Sequence, residues 1–249
     1  MTSMDMSMGI AGAFALGTAL VLMYVVLRKY TYPAVEQPFF SDPSLFILFT
    51  VGLIEGTILL VVYTYLLPWY TVAGVGLIIA ILFGAVTELV KLITLNLRRY
   101  SGKSDTVFYG FGLGLGIGAA MGFGFIYYLT SRSTTDTASW IIVLVLALQN
   151  IFLHSGTGIR VGEGVARKKP TEYLMLALFV DMAFQVLMVP TFTISPEDSI
   201  YFLTYITMAA ALILVIVNLY VMVWKKLPGI IDDILKSQGK KRNDIPGLD

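Results

Sequence analysis

The 249-residue chain has no cysteine, one histidine and few charges. Asp, Glu, Lys and Arg make up 13% of it, about half of the roughly 25% found in soluble domains. The lack of cysteine excludes disulfides, thiolate metal centres and cysteine nucleophiles. The scarcity of charge, with 57% hydrophobic residues and a strongly positive mean hydropathy, excludes a water-soluble domain, which would aggregate. A lone histidine and carboxylates dispersed over separate segments make a poor ligand set, so neither a metal nor another cofactor is expected. Internal repeats and low-complexity linkers are missing too. So is a basic residue ahead of the first apolar run, MTSMDMSMGI, where a cleaved leader carries one; this segment is expected to stay as a helix.

What is present is a series of apolar runs. A bilayer core takes about 20 mostly apolar residues per helix. Seven segments qualify, at roughly 8–28, 44–67, 71–95, 107–129, 138–160, 173–190 and 199–224. The expected fold is therefore all-α, a polytopic transmembrane bundle. Residues 1–226 are expected to form the membrane domain and 227–249 a short polar tail, with one amphipathic piece from Ile230 to Leu235 that is expected to be solvated or to lie on the inner leaflet. Basic residues fall in alternate loops: Arg28 and Lys29, then Arg98, Arg99 and Lys103, then Arg167, Lys168 and Lys169, and finally Lys225 and Lys226. The opposite loops carry Arg132 alone. The positive-inside rule puts the N-terminus outside and the C-terminus in the cytoplasm, in a cell membrane. Trp69, Tyr70, Tyr127, Tyr128, Trp140 and Trp224 stand near span ends, as an interfacial belt would. The lipid bilayer is the first partner this implies; nucleic acid is not expected.

The fourth span, YGFGLGLGIGAAMGFGF, has glycine at almost every second position. An isolated strand in lipid would leave its backbone groups unpaired, so the segment must be helical. At about 100° per residue the alternation becomes two ridges. Gly110, Gly114, Gly118 and Gly122 make one; Gly112, Gly116, Ala120 and Gly124 make the other, on nearly the opposite side. Each is a small-xxx-small pattern that lets another helix approach closely. A central helix clasped on two sides is expected.

Ionisable groups inside the bilayer cost at least about 2.5–3.5 kcal/mol each, so each calls for a reason. GAVTELVKLI holds Glu88 and Lys91 at i, i+3, close enough to pair, with Lys91 near enough to the basic loop to snorkel in part. GLIEGTI holds Glu55 between two glycines. LQNIFLHSGTGIR places Asn150 and His154 on one face, extended by Thr157, and FVDMAFQ places Asp181 and Gln185 at i, i+4. These helices are expected to line one hydrated pocket. Arg160 and Glu163 are expected to form a surface pair. No lysine lies between Ser199 and Val223, which excludes a retinal Schiff base in the last span.

The order of TELVK, a glycine-rich span, LQNIFLHSGTG and FVDMAFQ resembles the glutamic-type intramembrane proteases: the PrsW and YhfC families and their CAAX prenyl endopeptidase relatives. The likeness runs over about residues 50–190. It implies a helical bundle that cleaves peptide bonds of a membrane-embedded substrate, with a glutamate activating water. By position, Glu88 matches the second glutamate of the family's pair, Lys91 its basic partner and His154 the histidine of a later helix. Asp181 and Gln185 fall where a His-xxx-Asn or His-xxx-Asp pair is found. Thr87 replaces the first glutamate, and no acid or histidine lies between Val107 and Leu129. The expected catalytic set is thus Glu88, Lys91, His154 and Asp181, with Asn150, Gln185, Glu55 and Thr157 contacting substrate. Two alternatives stay open: a non-catalytic relative that binds or regulates membrane partners, and a small-solute or proton-coupled transporter.

Overall fold

The computed structural model describes residues 3–72, 74–130, 137–195, 197–240 and 242–247. Arg132 lies outside them. The described residues form helices and no strands: α1 (Ser3–Leu27), α2 (Asp42–Tyr70), α3 (Val75–Leu95), α4 (Thr106–Thr130), α5 (Thr137–Ala166), α6 (Pro170–Thr193) and α7 (Phe202–Tyr220). After α7 a π-helical turn (Val221–Lys226) leads directly into α8 (Leu227–Ser237). Seven of the helices are long and apolar enough to cross a membrane. Proline stands in the first turn of α2, α6 and α8, where its missing N–H leaves no hydrogen bond unmade.

Helix α4 is the axis of the bundle, and nearly all of it is buried. Its two small-residue ridges do what their spacing predicts. Gly110, Gly114 and Gly118 lie against the backbone of Gly158, His154 and Asn150 in α5, and Gly122 against Ala147. Gly112 and Gly116 lie against Leu45 and Phe49 in α2, and Gly124 against Leu60. The partners are recessed in turn: Gly158 and Gly162 of α5 receive Gly110 and Val107, and Gly52 and Gly56 of α2 receive the turn from Leu113 to Ile117. At most of these points a Cβ would fall on backbone atoms. A mid-helix glycine costs about 0.5–1 kcal/mol relative to alanine. Here that cost is offset by dispersion contacts between backbones brought unusually close. Helices α1, α3, α6 and α7 complete the outer layer, with α3 paired to α6 and α7 set against α5 and α6.

The basic segments gather at one end. Gly102 N donates to Val165 O at 3.1 Å, Gln238 Nε2 to Gly102 O at 3.1 Å, and Arg167 Nη2 to Asp233 at 3.1 Å. Those bonds join the α3–α4 turn, the end of α5 and α8. Two expectations are corrected here. The segment from Ile230 to Leu235 does not lie apart from the protein: Leu227, Ile230, Ile231 and Ile234 are buried in the same apolar core as α4. An amphipathic helix anchored directly to α7 finds the bundle underside nearer than the lipid. Arg160 and Glu163 do not pair at the surface. Glu163 is buried and bonds Arg167 at 2.8 Å, one turn on, while Arg160 reaches across to Asn218 of α7 at 3.2 Å.

Candidate functional site

The buried stripe of α3 carries Gly84, Thr87, Glu88 and Lys91 at helical spacing. Gly84 faces the backbone of Met182, where an added Cβ would come within 3.2 Å, so α3 and α6 can close on each other at the level of Asp181. On the other side, the α4 ridge holds the backbone of His154 and Asn150 close, which sets the depth of the polar face of α5. Three helices thus deliver their polar groups to one closely packed chamber, shut off from solvent, in place of the hydrated pocket expected. Glu88, His154 and Asp181 each bring a nitrogen or oxygen within 4.8 Å of the other two, and all three are fully buried.

The chamber is wired as follows. Lys91 Nζ donates to Glu88 Oε1 at 2.5 Å and to Thr157 Oγ1 at 2.6 Å. The Thr157 hydroxyl in turn donates to Leu153 O at 3.1 Å. Lys91 is completely inaccessible, so it does not snorkel. Its head group has two oxygens at hand, and extending toward the basic end would break both bonds. Asp181 accepts from Thr87 Oγ1 at 2.8 Å and from Gln185 Nε2 at 3.1 Å. Nδ1 of His154 stands 3.8 Å from Asp181 Oδ2, beyond hydrogen-bond length. Glu88 Oε2 and both ring nitrogens of His154 have no hydrogen-bond partner among the described residues. Buried polar atoms of native proteins are nearly all paired, so three orphans in one place mark a place built for something else.

The remaining expected residues fall in two groups. Asn150 and Gln185 border the chamber on its far side, where they line a void of about 10 Å³ with Tyr63, Phe125 and Phe192. That is the room of about one water. Tyr63 packs edge-on against Phe83, Phe125 and Phe192, with Tyr70 at 5.6 Å, and this aromatic group closes the end away from the basic loops. Glu55 does not join them. Its Oε1 accepts from Thr94 Oγ1 at 2.5 Å, a partner one turn beyond Lys91 on α3. The sequence offers no sign of Tyr63 or Phe192, which look like ordinary core aromatics. Thr87 was legible only as a missing glutamate; its hydroxyl instead holds Asp181.

The carboxylates are not dispersed, contrary to what their separate segments suggest: helix packing brings Glu88, His154 and Asp181 within 4.8 Å of one another, and these three residues could hold a metal ion.

Comparison with family models, with curated proteins and with solved structures gives no match.

Proposed function

We propose that the protein is an intramembrane hydrolase of the glutamic type, acting on a peptide bond of a membrane-embedded substrate. It sits in the cell membrane with its N-terminus outside and the basic end, with α8, in the cytoplasm. One observation carries the reading: Glu88 Oε2 and both ring nitrogens of His154 are unpaired, and the two side chains bring polar atoms within 4.8 Å of each other between α3 and α5.

A water held there has a base and a hydrogen-bond donor on either side of it. Glu88 Oε2 takes one proton as the water oxygen adds to the scissile carbonyl carbon. The N–H form of His154 stabilises the oxyanion. When the carbon–nitrogen bond breaks, the proton held by Glu88 passes to the leaving amine. Lys91, clamped by Thr157, fixes the rotamer of Glu88 and balances its charge. Thr87 and Gln185 fix Asp181 beside the imidazole. The substrate enters as an unwound segment, since a helix hides its carbonyls in its own hydrogen bonds.

The test is cleavage of transmembrane peptides by the purified protein in liposomes. Glu88→Gln and His154→Ala, shown to be folded by thermal melting, should each lose about 100-fold or more. Unchanged cleavage in both, or none by the wild type over a broad peptide set, rejects hydrolysis. The complete burial of Glu88, Lys91, His154 and Asp181 favours a second reading, a proton-coupled carrier that opens to one side at a time. That reading requires solute-driven proton flux in liposomes that Asp181→Asn abolishes.

A further inference from the structure

Atoms that accept hydrogen bonds converge in the chamber faster than donors do. Glu88 Oε2 has no donor, Asp181 has two modest ones, and a neutral imidazole adds a further lone pair. The one ammonium, Lys91, is already committed to Glu88 Oε1 and Thr157. A single water brings two protons to three such groups. A surplus of converging lone pairs from three helices, in a place closed to solvent, is what a cation site offers.

We infer that Glu88, His154 and Asp181 bind a divalent transition-metal ion, one ligand from each of α3, α5 and α6. The inference rests on the same chamber as the proposed hydrolysis and names what holds its water. The 3.8 Å between His154 Nδ1 and Asp181 Oδ2 is near the about 3.4 Å that separates two tetrahedral ligands bonded at about 2.1 Å. One imidazole and two carboxylates suit zinc, cobalt, iron or manganese rather than copper(I), which prefers sulfur. Three protein ligands leave a fourth position open, as catalytic centres do. Thr87 and Gln185, bonded to Asp181, hold that carboxylate in place as outer partners of a ligand do. With the ion bound, the ion takes over from Glu88 the activation of water, and a loss of cleavage in Glu88→Gln then reports a lost ligand.

The experiment is binding of Co2+ to chelator-treated, detergent-purified protein, read by visible absorption and by metal retained after desalting. One ion per chain is expected. His154→Ala and Asp181→Asn should weaken binding by at least about 100-fold, and Thr87→Val, which keeps every ligand, by about 10–100-fold. Glu36→Gln, on the surface, should bind as wild type. If a ligand variant fails to fold, Thr87→Val and the wild-type spectrum still decide the matter. No bound Co2+ in the wild type, or binding that all three substitutions leave intact, overturns the inference. Peptide cleavage by protein that binds no metal would overturn it while sparing the hydrolase. A bound ion without cleavage of any peptide would do the reverse.

Discussion

Lys91 and Glu88 form an ion pair one helical turn apart, with both side chains completely buried. Such a pair is expensive to desolvate, and removing one member leaves the other charge uncompensated. Lys91→Met should therefore destabilise the protein by about 3–5 kcal/mol. The double variant Lys91→Met, Glu88→Gln should recover a large part of that loss. Chemical unfolding in mixed detergent micelles measures both. If the double variant is as unstable as the single one, the pair is not the source of the effect.

The glycines of α1 and α4 should respond oppositely to the same change. A Cβ on Gly114 would fall on the carbonyl oxygen of His154, so Gly114→Ala must push α4 and α5 apart, at a cost of about 1–3 kcal/mol. Gly17 in α1 meets nothing within 4 Å, and Gly17→Ala should gain up to about 1 kcal/mol from helix propensity. Thermal midpoints of the two variants should fall on either side of the wild type.

Thr87 is a donor to Asp181 in place of a second acid. Thr87→Val keeps the shape and removes the proton, leaving a buried carboxyl short of a partner; a loss of about 1–3 kcal/mol is expected. Thr87→Ser should restore most of it. Equal stability of the valine and serine variants would mean that the hydrogen bond from the hydroxyl is not what sets the loss.

At the basic end the last described residues are held by Arg242. Its guanidinium lies 3.8 Å above the Phe39 ring, donates to Gln37 O at 2.7 Å and grips both oxygens of Asp244. The hydrogen bond from Arg242 holds the Asp244 carboxyl below its usual value of 3.8. A carboxyl whose folded value is depressed adds stability above its unfolded value, and that stability is lost as pH falls through the folded one. The clasp should thus be intact at pH 7 and open only in acid below the ordinary carboxylate range. Hydrogen exchange of residues 242–247 should rise there, and Arg242→Ala should show the same rise at pH 7. Because Asp244 is largely exposed, added salt should weaken the clasp.

Much of this molecule was legible before any coordinates. Seven spans follow from length and hydropathy, because lipid tolerates only helices that satisfy their own backbones. The two glycine ridges follow from helical periodicity, and so does the sharing of faces by Glu88 with Lys91, Asn150 with His154, and Asp181 with Gln185. Periodicity states which residues leave a helix together; it does not state what they meet. Packing alone decided that the ridge of Gly114 takes α5 and that of Gly116 takes α2. Packing also brought His154 together with two carboxyls from different helices, and left Glu55 to Thr94. In water, a polar outer face would have announced which side of each helix is buried. In lipid both faces are apolar, so that signal is absent, and small residues and buried charges have to choose the partners through contact.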